Sequence, residues 1–132
     1  MRPRRILVVD DEPMNLEILR EFLDDPAWTL ECQTSSEAAW EKLAAGERYD
    51  LAILDLMMPG LDGLELLRRI RADIRHAALP VVIQTAASHP EQIEAARAAG
   101  ASHYLVKPFE ADTLLAVVRQ ALALAPEAPL ST

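Results

Sequence analysis

The sequence has a single cysteine, Cys32, among its 132 residues. One cysteine forms neither an intrachain disulfide nor a zinc cluster, so the composition predicts a reducing, cytoplasmic environment. Long hydrophobic runs are also lacking, because the apolar run at 6–9 ends at the acidic residues 10–12. A secretory signal needs about 7–15 apolar residues and a membrane span about 18 or more, so neither is predicted there.

Positive charge is scarce, and the formal net charge is −8. Nucleic acids and anionic membranes are bound through basic surfaces, so we expect neither as a direct partner. Hydrophobic residues make up 51% and charged residues 26%, which is typical of a soluble globular domain. The length predicts one domain, which we place at residues 1–125, with 126–132 as a tail or truncated linker.

Short apolar runs alternate with helical patterns along the chain. The predicted strands are 5–10, 28–33, 49–55, 80–85 and 102–107. The predicted helices are 13–25, 34–45, 62–72, 88–100 and 110–124, with Thr34, Asp62 and Ser88 as N-caps of the middle three. Strands that alternate with helices in this way predict a parallel sheet covered on both faces. The 28–33 run alternates apolar and polar residues, which predicts an edge strand.

Polar residues end four of these strands: Asp10 and Asp11 the first, Asp55 the third, Thr85 the fourth and Lys107 the fifth. The carboxyl ends of parallel strands meet at one edge of the sheet, so we expect these side chains to gather there. Three carboxylates repel one another, and Mg²⁺, which prefers oxygen ligands, compensates them. A carboxylate also acts as a nucleophile in aspartyl-phosphate formation. Lys107 would supply positive charge and Thr85 a hydrogen bond, so the pattern predicts phosphorylation of Asp55.

Four segments resemble those of bacterial response-regulator receiver domains, such as chemotaxis receivers. They are VVDDE at 8–12, ILDLMMPGLDG at 53–63, IQTAA at 83–87 and YLVKPF at 104–109. The resemblance runs from about residue 5 to about residue 124. It implies a flavodoxin-like, doubly wound (βα)5 fold, with a five-stranded parallel sheet in the order 2-1-3-4-5 between two helical layers.

The resemblance also implies roles for the residues of the acidic edge. Asp55 would accept a phosphoryl group from a sensor histidine kinase or a phosphotransfer protein. Mg²⁺ would be held by Asp10, Asp11, Asp55 and the backbone carbonyl of Met57. Of Asp10 and Asp11, Asp11 would contact the metal more directly. Lys107 would pair with Asp55 and then with the phosphoryl oxygens.

The remaining implied roles concern switching. Thr85 would be the switch hydroxyl, Tyr104 the aromatic that turns inward on activation, and the Lys107–Pro108 bond would be cis. Phosphorylation would then alter the surface of the fourth helix, fifth strand and fifth helix. That surface would control a downstream effector or a missing output domain. It would also be the surface through which a homodimer forms. A stand-alone receiver and an excised domain both fit the sequence.

The sequence disfavours two other functions. A phosphatase of the haloacid-dehalogenase type carries a second aspartate two residues after its nucleophile, where this chain has Met57. A degenerate receiver that binds partners without phosphate is disfavoured by the intact acidic pair, Asp55, Thr85 and Lys107. The favoured function is thus a signalling domain whose only chemistry is its own phosphotransfer and autodephosphorylation.

Two positions predict a slow loss of the phosphoryl group. Met57 lies two residues after Asp55, and Ala87 lies two residues after Thr85. In the family that the chain resembles, the side chains at these positions influence how fast water removes the phosphoryl group. Neither methionine nor alanine forms a good hydrogen bond to an attacking water. We expect the phosphorylated protein to persist for longer than seconds after the donor is removed. Intact-mass measurements over time would check this, and a half-life of only seconds would contradict it.

Overall fold

A computed structural model describes residues 3–56, 62–86 and 90–123 of the chain. Strands and helices alternate through these residues. The strands are β1 (Arg4–Val9), β2 (Trp28–Gln33), β3 (Leu51–Asp55), β4 (Val81–Ala86) and β5 (His103–Lys107). The helices are α1 (Pro13–Phe22), α2 (Ser36–Ala44), α3 (Gly63–Ala72), α4 (Pro90–Ala98) and α5 (Ala111–Ala123). Among the described residues, no helix has the length and hydrophobicity that crossing a bilayer requires.

The five strands form one parallel sheet in the order β2-β1-β3-β4-β5. This order and the alternation with helices confirm the predicted flavodoxin-like fold. β2 lies at an edge, as its alternating sequence predicts, and Trp28 is its one buried residue. Because β1 and β3 lie inside the sheet, the residues that follow them reach the middle of its carboxyl edge.

Two apolar clusters cover the two faces of the sheet. Along β1, Ile6 and Val8 pack into the cluster that contains residues of α1 and α5. Leu7 and Val9 pack into the cluster that contains residues of α2, α3 and α4. All four side chains are fully buried, and each contributes about 1.5–3 kcal/mol relative to an exposed position. Burial on both faces explains why this strand is continuously apolar.

Of the three predicted helix caps, one is confirmed, one is wrong and one lies outside the described residues. Asp62 caps α3 by accepting a hydrogen bond from the backbone N–H of Glu65, as predicted. The cap of α2 is Ser35, whose hydroxyl accepts from the N–H of Ala38, so the prediction of Thr34 is wrong by one residue. Ser35 has the extended backbone of a cap and the required spacing of three to its donor. Ser88 lies outside the described residues.

The start of α3 packs directly against the end of β3. A Cβ placed on Gly63 would lie 2.2 Å from the backbone oxygen of Asp55 and 2.9 Å from the Cα of Leu56. Both contacts are with backbone atoms, which cannot rotate away as a flexible side chain would. The missing side chain at Gly63 therefore allows α3 to support the segment that carries Asp55.

We expect Gly63→Ala to destabilise the protein. Alanine favours a helix by about 1 kcal/mol over glycine, but forcing a methyl group against the Asp55 backbone costs about 1–3 kcal/mol or more. The clash should outweigh the propensity and lower the free energy of unfolding in urea titrations. The control Arg68→Ala, on the exposed side of the same helix, should change it by no more than about 0.5 kcal/mol. Equal or greater stability of Gly63→Ala would contradict the close approach.

Candidate functional site

Three carboxylates meet at the carboxyl edge of the sheet. Asp10 and Asp11 follow β1 and Asp55 ends β3, and one oxygen from each side chain lies within 4.8 Å of the others. Asp10 is fully buried and Asp55 is 5% exposed, whereas Asp11 is more accessible. Like charges at this separation repel, and oxygen ligands of this kind suit a hard divalent cation. The residues present thus fit the predicted magnesium site.

Lys107 brings a positive charge into this acidic group. Its Nζ lies 3.2 Å from Asp55 Oδ2 and 3.5 Å from Asp10 Oδ2. The side chain comes from the end of β5 and reaches past β4 to the two buried carboxylates. The Lys107–Pro108 peptide bond is cis. The single positive charge of Lys107 offsets the charge of at most one of the three carboxylates.

Asp10 accepts further hydrogen bonds from residues that the sequence analysis did not single out. Its Oδ1 accepts from the backbone N–H of Glu12 at 2.9 Å. Its Oδ2 accepts from Asn15 Nδ2 and, at 3.5 Å, from Gln84 Nε2. The signal for Gln84 was available, because it is a polar residue inside a strand predicted to be buried on both faces.

Thr85 lies beside this group on β4. Asp55 is paired in register with Gln84, so Thr85 is one residue further along the neighbouring strand. The side chain is 1% exposed, and its Oγ1 has no hydrogen-bond partner among the described residues. A buried hydroxyl without a partner costs about 1–3 kcal/mol, so such atoms are rare and invite a functional explanation.

Tyr104 lies on β5 and faces outward. Its side chain is 44% exposed, and the guanidinium carbon of Arg97 lies 5.7 Å from the centre of its ring. A cavity of about 280 Å³ adjoins the ring and is lined in part by Ile83 and His103. Met57, whose carbonyl the resemblance adds to the metal ligands, lies outside the described residues.

Comparison with known proteins decides the family. The family described as response regulator receiver domain matches residues 6–119. The chain belongs to this family. It is 40% identical over 120 residues to the response regulator MprA of Mycolicibacterium vanbaalenii, covering 91% of this chain and 51% of the relative. It is 36% identical over 122 residues to the response regulator ArlR of Staphylococcus epidermidis, covering 92% and 54%. This receiver domain thus spans about half the length of these curated relatives.

Solved receiver structures agree with this assignment. The chemotaxis response regulator CheY4 of Vibrio cholerae superimposes with a TM-score of 0.82 at 28% identity, over 90% of this chain and 98% of that chain. The receiver domain of the sensor histidine kinase PA1611 from Pseudomonas aeruginosa gives a TM-score of 0.82 at 27% identity, over 92% and 98%. That receiver was solved with a magnesium ion coordinated in its active-site cleft.

Because the carboxylates repel one another, we expect the effect of Asp11→Asn on the free energy of unfolding to depend on Mg²⁺. In chelator, the variant should be at least as stable as the wild type, because one like charge is removed. Mg²⁺ at about ten times its Kd should raise the wild-type free energy of unfolding by about 1.4 kcal/mol and that of the variant by much less. Urea titrations would measure both effects.

Asp112→Asn is the matched control, because it removes an exposed carboxylate from α5. It should respond to Mg²⁺ as the wild type does. Equal stabilisation of the wild type and Asp11→Asn by Mg²⁺ would contradict a role for Asp11 in holding the cation.

Proposed function

We propose that this receiver domain is phosphorylated on Asp55. The observation that carries the proposal is the contact of Lys107 Nζ with Asp55 Oδ2 at 3.2 Å, beside two further carboxylates. A buried carboxylate beside acidic neighbours and one ammonium is suited to receive a phosphoryl group, because the ammonium and a divalent cation held by the acidic neighbours would offset the negative charge of that group. Asp55 is therefore the nucleophile, and Asp10 and Asp11 serve the cation.

The transfer forms one bond and breaks another. An oxygen of Asp55 attacks the phosphorus of a phosphohistidine on a sensor kinase or phosphotransfer protein. The nitrogen–phosphorus bond breaks, its electron pair stays on the imidazole, and an aspartyl phosphate is left on this chain. Lys107 is placed to leave its contact with the carboxylate and pair with a phosphoryl oxygen. The chain thus carries out only its own phosphotransfer and the later hydrolysis of its aspartyl phosphate, in which water takes the phosphoryl group and the carboxylate is restored.

Asp10, Asp11 and Asp55 would hold the divalent cation, with the backbone carbonyl of Met57 proposed as a further ligand. Mg²⁺ fits this set because it binds through one or two carboxylates, waters and phosphate oxygens. When bound, it neutralises charge on the transferring group and on the carboxylates. The magnesium ion in the PA1611 receiver supports this choice, since that domain shares the fold.

Thr85 and Tyr104 are the proposed switch. A phosphoryl oxygen on Asp55 would offer the buried Thr85 hydroxyl the hydrogen-bond partner that it lacks among the described residues. The cavity beside Tyr104 leaves room for the ring to turn inward. The Arg97 guanidinium over the ring favours the outward position by about 0.5–1 kcal/mol, a bias that a few new contacts at the site would overcome.

The surface of α4, β5 and α5 would carry the signal onward. Movement of Tyr104 changes the exposed side of β5, which α4 and α5 flank in the chain. Its target is an effector protein or an output domain joined to residues 1–125, and residues 126–132 are proposed as the tail or linker. The curated relatives are about twice as long as the match, which supports an attached output domain. The same surface is also the one through which two copies of the domain would pair.

Phosphorylation by a small donor tests the assignment of Asp55. Acetyl phosphate with Mg²⁺ should add the mass of one phosphoryl group to the wild type, because the site supplies its own positioning and charge. Asp55→Asn should remain unmodified, and chelator should prevent modification of the wild type. Intact-mass spectrometry measures each case.

Asp112→Asn is again the control and should be modified like the wild type. Three results would overturn the proposal, and the first two are modification that persists in Asp55→Asn and modification of the wild type that is independent of divalent cation. A wild type that stays unmodified in acetyl phosphate and is also unaffected by beryllofluoride with Mg²⁺ would do the same.

A further inference from the structure

Gln84 is an unusual residue for its place in the sheet. It is fully buried on β4, a strand between β3 and β5 whose preceding residues, Val81, Val82 and Ile83, are apolar and buried. An apolar side chain would fill such a position without any need for hydrogen-bond partners. A buried amide there is stable only where its polar atoms are satisfied, so its partners indicate what it does.

The partners of Gln84 are Asn15 and Asp10. Asn15 Nδ2 donates to Gln84 Oε1 at 3.2 Å and also to Asp10 Oδ2. Gln84 Nε2 lies 3.5 Å from Asp10 Oδ2, at the long end of hydrogen-bond distances. The three side chains therefore close a triangle that joins β4, the first turn of α1 and the residue after β1.

This triangle restricts the orientation of the Asp10 carboxylate. Oδ2 faces Asn15, Gln84 and the Nζ of Lys107. Oδ1 accepts from the backbone N–H of Glu12 at 2.9 Å. With donors on both oxygens, rotation of the carboxylate would break several hydrogen bonds at once. The group is thus held in one orientation before any cation arrives.

We propose that Asn15 and Gln84 are positioning residues that set the affinity of the acidic site for its cation by fixing Asp10. The inference rests on the proposed function, in which Asp10 serves the cation. Partners that orient metal-binding side chains typically contribute about 10–100-fold to metal affinity. The triangle also ties Asp10 to the strand that carries Thr85, so the acidic edge and the switch strand share one hydrogen-bonded support.

Magnesium affinity of matched variants tests the inference. Gln84→Met keeps a side chain of similar length and removes the amide. Asn15→Leu, on α1, keeps the size and the branching of the asparagine side chain and likewise removes the amide. Calorimetric titration of the full chain with Mg²⁺ should give a Kd raised about tenfold in each variant. The double variant should lose little more than either single variant, because both act through the same carboxylate.

Gln92→Met is the control, since it makes the same chemical change on α4, away from Asp10. It should bind Mg²⁺ like the wild type. Wild-type affinity, or tighter binding, in folded Gln84→Met and Asn15→Leu would overturn the positioning role and leave the proposed function intact. No Mg²⁺ binding by the wild type itself would instead overturn the proposed function, and the inference with it.

A measurement on the wild type covers the case in which the variants do not fold. The side-chain amide resonances of Asn15 and Gln84 should shift during titration with Mg²⁺, because both amides contact a carboxylate whose charge the cation engages. The side-chain amide of Gln92 should not shift. Resonances of Asn15 and Gln84 that stay unchanged at saturating Mg²⁺ would overturn the inference.

Discussion

The repulsion among carboxylates at the carboxyl edge of the sheet is the constraint on which the site depends. Two of these groups, Asp10 and Asp55, are almost completely removed from water. Burying a charge is expensive unless it is paired and hydrogen bonded. Lys107 and the donors around Asp10 meet part of this requirement. In the proposed function, the charge that Lys107 leaves uncompensated gives the site its affinity for a cation, and the bound cation would offset the charge of a phosphoryl group.

The fold supplies the rigidity that this arrangement needs. β1 and β3 are adjacent and parallel, so Asp10, just after β1, and Asp55, at the end of β3, lie side by side. The strand pairing alone brings them together. Apolar side chains anchor both strands on both faces, and α3 closes against the Asp55 backbone at Gly63. Packing in the rest of the domain thus holds the carboxylates together despite their repulsion, and the proposed binding of a cation would relieve that repulsion.

The convergence of Asp10, Asp55 and Lys107 was predictable from the sequence because it follows from a local rule. Each residue ends an apolar strand, and parallel strands end at one edge. The partnership of Asn15 with Gln84 could not be found in this way, because the two residues are 69 positions apart and their contact depends on tertiary packing. Ser35 and Thr34 are adjacent residues that are both chemically able to cap α2. Backbone geometry decides which of the two is the cap, and the sequence pattern does not contain it. The outward position of Tyr104 is likewise a property of rotamer and neighbours, which the strand pattern does not determine.

A crystal structure of the protein with beryllofluoride and Mg²⁺ would test whether Asp55 receives the phosphoryl group, since beryllofluoride mimics a phosphoryl group on a carboxylate. We expect the beryllofluoride group on Asp55, with the cation among Asp10, Asp11 and Asp55. We also expect Lys107 Nζ and Thr85 Oγ1 in contact with fluorine atoms and Tyr104 turned inward. A beryllofluoride group on another carboxylate, or one on Asp55 that contacts neither Lys107 nor Thr85, would contradict the proposed site.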